Sequence, residues 1–181
     1  MKKCALFLLF PWILVCADTP PPPKENVAGI ANYGAVTLDS LQGAGLVKLN
    51  GTSVLNTAHF DGSFLANDVR IGALEVSGEA NLTAAIIGQK SFIFGSLQAV
   101  RSTFSKPLTL LTQKAVFTGC KIESIIVKKD TACKGKQVLE LKLGTIVDGS
   151  IEFESGKGEV VLFPGSQVLG PITGGKVLKK F

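Results

Sequence analysis

The chain has 181 residues, 46% of them hydrophobic and 18% charged, with 20 glycines and a formal net charge of +5. That hydrophobic content excludes a disordered, solvating tail, and a glycine share of about one residue in nine excludes collagen. The length fits one domain, or an export segment followed by one domain.

Residues 1–17 read as a secretory signal peptide. Lys2 and Lys3 form a positive start, an apolar run follows from Cys4 to Cys16, and Val15-Cys16-Ala17 places small residues before a cleavage point at Asp18. The run is short for a membrane span and contains Pro11, which disfavours an uncleaved anchor helix. Lipidation at Cys16 is disfavoured because Val15 stands where the lipoprotein pattern has Gly, Ala or Ser. The expectation is export to the periplasm, envelope or extracellular space, with no transmembrane segment after cleavage.

Cleavage removes Lys2 and Lys3 and leaves 17 basic against 14 acidic residues, a net +3. The charge is uneven. Residues 18–111 carry 6 basic and 7 acidic side chains, whereas residues 112–181 carry 11 and 7. Two cysteines remain, Cys120 and Cys133. In an oxidising compartment a disulfide between them would contribute roughly 3 kcal/mol; the alternative is a pair of buried free thiols.

Residues 18–27 hold Pro20-Pro21-Pro22-Pro23 and read as a stiff polyproline linker. Over residues 28–131 a period dominates. Gly45, Gly62, Gly78 and Gly95 are spaced 17, 16 and 17, with Thr112 next in register. Two residues before the later markers stand Phe60, Val76, Ile93 and Leu110; four before stand Ala58, Leu74, Ser91 and Leu108. Two after stand Val47, Phe64, Ala80 and Leu97, a column that Lys114 breaks. Four after stand Leu49, Ala66, Leu82, Ala99 and Val116, and nine after stand Val54, Ile71, Ile87 and Phe104.

Alternation at period two marks strands with one buried face. Its return every 16–17 residues stacks like on like, as in a single-stranded parallel β-helix, or solenoid. The marker glycines predict a kink within each strand. Asn50 and Asn67, followed by Thr83, predict a short polar column at a corner. Residues 132–137 read as an excursion. Residues 138–181 read as a C-terminal β extension with a basic tail, in which Gly144, Val147, Gly149 and Ile151 recur 21 residues later as Gly165, Val168, Gly170 and Ile172. Longer coils and terminal hairpins both fit that spacing. A membrane β-barrel and a β-sandwich fit less well, the first for want of aromatic girdles and the second because it needs no fixed register.

Chemistry is sparse. His59 is the only histidine and has no second His or Cys at metal spacing, so no metal ligand set, cofactor site or catalytic group is assigned. Gly170-Pro-Ile-Thr-Gly-Gly175-Lys176 imitates a phosphate loop but has Val177 where Ser or Thr is needed. Asp61, Asp68, Glu75 and Glu79 fall at different offsets in the repeat and predict no carboxylate cluster. Lys128, Lys129, Lys179 and Lys180 are candidate contacts for an anionic lipid or envelope polymer, or lysines that block an open sheet edge. No nucleic-acid partner is expected, because no aromatic residues interleave with the basic ones.

The segments Gly62-Ser-Phe-Leu-Ala and Leu74-Glu-Val-Ser-Gly78, with Val147-Asp-Gly149-Ser-Ile151 and Val168-Leu-Gly170-Pro-Ile172, resemble the bactofilin-like, polymer-forming β-helix proteins. The resemblance covers roughly residues 30–175. It implies a right-handed β-helix whose ends stack into filaments, and it brings no catalytic residues. The expected function is an exported, non-enzymatic structural element that self-associates through its coil ends, with a cell-envelope or surface-binding module using the basic C-terminal end as the alternative and a polysaccharide-acting enzyme behind it.

Overall fold

The computed structural model describes residues 20–130 and 135–181. These residues form no helix, and every strand pairing among them is parallel. The first strands are β1 (Lys24–Tyr33), β2 (Thr37–Leu38), β3 (Ser40–Asn50), β4 (Ser53–Asn67), β5 (Arg70–Thr83), β6 (Ile86–Ile87) and β7 (Ser91–Val100). Shorter strands follow as β8 (Thr103–Phe104), β9 (Leu108–Leu111), β10 (Lys114–Thr118), β11 (Lys121–Ile122) and β12 (Ile125–Val127). The last are β13 (Gln137–Lys142), β14 (Ile146–Val147), β15 (Ile151–Phe153), β16 (Gly158–Leu162), β17 (Gln167–Val168), β18 (Ile172–Thr173) and β19 (Gly175–Lys179). They stack as a β-solenoid of about nine turns.

The bend in each early coil explains the glycine period. Gly45, Gly62, Gly78 and Gly95 pair in one column and have φ between +109° and +132°. A Cβ on Gly45, Gly62, Gly78 or Gly95 would lie 2.0–2.3 Å from the carbonyl oxygen of the glycine one coil earlier. No side chain fits there. Gly29, at φ +89°, starts the column one coil before the first marker read from the sequence.

The kink turns the inward residues on either side of each glycine toward each other. Phe60 and Phe64, flanking Gly62, stack with centroids 4.1 Å apart and planes 13° from parallel, a contact worth about 1 kcal/mol beyond burial. One coil earlier the same two places hold Gly43 and Val47, and a Cβ on Gly43 would approach Phe60 to 3.0 Å and Val47 to 2.6 Å. The large pair is therefore accommodated by a small residue beneath it. On the third side, Leu38, Val54, Ile71, Ile87, Phe104, Ile122 and Val147 form an unbroken buried column.

After β3, β4, β5, β7 and β10 the chain turns at a left-handed residue: Gly51, Asp68, Ala84, Arg101 and Gly119 in turn. Each donates its N–H to a carbonyl of the following coil, as Asp68 does to Thr83 at 3.0 Å. The expected asparagine column is present, with Asn67 Nδ2 donating to Asn50 Oδ1 at 3.1 Å.

The register read from the sequence changes after Leu111. Leu97 pairs with Ala115 and Ala99 with Phe117, so Lys114 does not break the inner column and Val116 does not continue it. One extra residue is accommodated at Thr112-Gln113-Lys114, where the glycine is lost. Thr112 Oγ1 accepts from the Lys114 N–H at 3.1 Å and donates to the Lys114 carbonyl at 2.9 Å, closing the corner with a side chain. The array also begins earlier than expected, since Lys24 already lies in β1. Gln137 is the first residue of β13 rather than part of an excursion. The C-terminal segment resolves into longer parallel coils, not hairpins: Ile125 pairs with Ile151, and Ile151 with Ile172.

Replacing Gly78 by Ala adds both a backbone conformation hostile to L-residues and a Cβ 2.0 Å from the Gly62 oxygen. It should destabilise the fold by about 3 kcal/mol in denaturant titration. Gly156→Ala, at φ +67° in open space, should cost about 1 kcal/mol.

Candidate functional site

The outward residues before the glycine bend form a flat face whose neighbours are fixed by the ladder. Along one outward column stand Gln42, His59, Glu75, Phe92 and Thr109. Two residues on, the parallel column reads Ala44, Asp61, Ser77, Phe94 and Leu111. Offsets that look scattered along the chain become adjacent here. His59 Nδ1 lies 3.3 Å from Glu75 Oε2, and its Nε2 lies 3.5 Å from Asp61 Oδ2. The expectation that no carboxylates collect is therefore corrected for Asp61 and Glu75. Adjacent coils bring two different offsets together around a residue that reaches both.

The next coil carries Phe92 and Phe94, which alternate with the buried Ser91 and Ile93, point to solvent and are 37% and 47% exposed. A groove of about 280 Å³ runs beside Phe92, lined by Thr57, His59, Glu75, Lys90, Phe92 and Thr109, and Phe94 borders a neighbouring depression of about 310 Å³ with Leu111 and Lys114. His59 and Asp61 also border a depression of about 510 Å³ toward the first coil. No group of three or more metal-ligating side chains occurs among the described residues.

The four candidate surface lysines do not share one face. Lys128 follows β12 and is bound by Glu154, whose carboxyl it holds below the usual range. The Lys129 N–H also donates to Glu154, at 3.3 Å. Lys179 and Lys180 lie in and after β19, on the strand stack that runs through β10, β13 and β16. Other C-terminal lysines pair one coil ahead: Lys114 with Glu140 at 2.6 Å, Lys121 with Asp148 at 3.6 Å and Lys136 with Glu159 at 3.2 Å. Lys142 also reaches Glu140 at 2.6 Å and lies 4.9 Å over the Phe163 ring. Much of the basic excess is thus built into the ladder.

Cys120 is buried in the core just after a corner. Its Sγ faces the Ala99 and Thr118 carbonyls at 3.3 and 3.5 Å, and burial pushes its thiol up. The Cys133 end of the candidate disulfide lies outside the described residues, as does the signal segment. The phosphate-loop imitation spans β18 and β19, two strands with no helix after them.

The two ends of the stack differ in charge. In β1, Glu25, Val27, Ala31 and Tyr33 face inward and are half-buried; burial and the nearby Glu25 charge both push the Tyr33 phenol up. Glu25 and Tyr33 thus terminate two core columns. The column that begins with Tyr33 ends at Lys179, through Leu49, Ala66, Leu82, Ala99, Phe117, Leu141 and Leu162. One end of the core carries a carboxylate, the other an ammonium.

Comparison of the chain with protein-family models, curated proteins and solved structures finds no match.

The Lys114 and Lys142 ammonium groups hold the Glu140 carboxyl below its ordinary value. The folded state therefore keeps this group ionised where the unfolded chain takes up a proton. Its stabilisation is present above about pH 4.3 and is lost as the pH falls through the lower folded value. Glu140→Gln should cost about 1 kcal/mol at pH 7 and nothing at the acid end, flattening the acid limb of stability measured by urea titration.

Proposed function

We propose that the mature protein is an exported, non-enzymatic structural element that assembles head to tail through the ends of its solenoid. The observation that carries this reading is the edge of β1. Ten residues long, it pairs with β3 on one side and with no other strand among the described residues. A long, regular, partly apolar edge is a template for a further strand. At the other end β19 pairs, among the described residues, with β16 alone and exposes Val177 and Leu178.

The two edges are complementary. Stacking β19 of one copy on β1 of the next continues the parallel ladder and places Lys179 over Tyr33, beside Glu25. Such a contact is heterologous, so it propagates into a linear assembly rather than closing as a dimer. The resemblance of the repeat to polymer-forming β-helix proteins supports the same reading.

The Lys180 N–H donates back to Leu162 at 2.8 Å, so peptide alternation leaves the Val177 and Lys179 N–H groups on the free edge. Electron microscopy and size-exclusion chromatography of residues 18–181 should show linear assemblies of constant width whose length grows with concentration. Val177→Pro removes one free-edge donor without touching the bonds to β16 and should leave monomers. Glu25→Lys should block assembly, and mixing it with Lys179→Glu should restore mixed pairs. A wild-type chain that stays monomeric at every concentration overturns the proposal.

A further inference from the structure

A second surface has a composition that the fold does not require. Inward positions of the repeat are dictated by the core, and outward positions need only be soluble. Among the described residues the in-strand phenylalanines are otherwise buried: Phe60, Phe64, Phe104, Phe117 and Phe153. Phe92 and Phe94 alone face solvent from a strand, and they do so beside the only histidine and two carboxylates. Exposed aromatic rings on a flat sheet invite aggregation, and nothing in the ladder compels them.

We infer that this face is a binding site for a neutral oligosaccharide of hexopyranose units. Three features select that chemistry. First, the exposed phenylalanines offer apolar ring surfaces about 6.6 Å apart along one strand, on which the C–H faces of a sugar ring pack. Second, the groove mixes hydrogen-bonding types: Glu75 supplies acceptors, Lys90 supplies donors, and Thr57 and Thr109 supply both. A sugar hydroxyl is itself both donor and acceptor and matches such a mixture. Third, the charged side chains lining the groove are one ammonium, Lys90, and one carboxylate, Glu75, so it lacks the one-signed charge that a cationic ligand or a polyanion would need. His59 is a positioning residue, with a ring nitrogen toward each carboxylate.

The site has a direction. Moving along the solenoid axis, His59 and Asp61 occupy one coil, Glu75 the next, Phe92 and Phe94 the third, and Thr109 and Leu111 the fourth. At about 4.8 Å per coil this spans about 14 Å, enough for two or three pyranose rings laid along the rod. The polar end would hold hydroxyls and the aromatic end would stack a ring. The surface lies on the side of the rod, so occupation is compatible with assembly through the ends and does not depend on it.

The test is isothermal calorimetry of residues 18–181 against cellohexaose and chitohexaose, with saturation-transfer NMR to identify the sugar protons in contact. Either hexasaccharide should bind with millimolar or better affinity, and ring C–H protons should receive the strongest transfer. The double variant Phe92→Ser/Phe94→Ser should lose binding at least tenfold with unchanged circular dichroism, and Glu75→Gln should lose it severalfold. Ile86→Ser, at an exposed position in β6 on the third side of the rod, should bind like wild type. Absence of binding to both hexasaccharides, or binding unaffected by the phenylalanine pair, overturns the inference. Binding of hexyltrimethylammonium at this face in preference to the sugars would likewise overturn it.

Discussion

The structure depends on one close approach. At the bend of each early coil the glycine α-carbon faces the carbonyl of the glycine beneath it, with no room for a Cβ. That contact lets the chain fold sharply within a strand while neighbouring coils keep their hydrogen bonds. The bend then sets the core: inward positions on either side of it must share volume, as Phe60 and Phe64 do above Gly43 and Val47. It also sets the period, since a coil must return to the same bend after 16 or 17 residues. Where the glycine is replaced, at Thr112, the corner is closed by a side-chain hydroxyl and the register lengthens by one. The late coils reuse the device at another corner. There a Cβ on Gly170 would meet the Gly149 carbonyl at 2.4 Å, and one on Gly149 would meet the Glu123 carbonyl at 2.7 Å.

The solenoid was legible because parallel stacking forces equal residues into equal places, and buried columns tolerate few types. The columns through Ala58 and Phe60 and the one through Val54 hold as read from the spacing. The slip after Leu111 was not legible. Ala115, Val116 and Phe117 are all apolar, so hydrophobicity alone fits either register, and only the hydroxyl bonds of Thr112 show where the extra residue sits. Gly29 does not stand out in the sequence because the chain just before it is polyproline, which masks the start of the first strand. The His59 cluster was hidden for a different reason. Comparing only the carboxylates' offsets finds no column, but His59 reaches Asp61 two residues on in its own strand and its register partner Glu75 in the next coil, so one ring joins the two offsets.

The same geometry separates the two proposed surfaces. A solenoid can grow only at its ends, where Glu25 and Tyr33 meet one environment and Lys179 the other, whereas its sides repeat every coil and can carry an extended ligand. Lys114, Lys121, Lys128 and Lys136 are tied to carboxylates one coil away, so the basic excess counted in the sequence overstates the charge free to act at a distance. Lys176, Lys179 and Lys180 of the last coil take part in none of these pairs, and they stand beside the edge that the proposed assembly would use.

The central claim is the stacked register itself, and distance measurements between spin labels test it most directly. Ile30, Ser96 and Lys176 lie on one outward column, four and then four more coils apart. With Cys120 and Cys133 replaced by serine and alanine, labels at Ile30 and Ser96 should lie about 19 Å apart, and labels at Ile30 and Lys176 about 38 Å. A separation that grows by about 4.8 Å per coil is the result the account predicts. Distances that do not scale with coil number would contradict the solenoid and everything built on it.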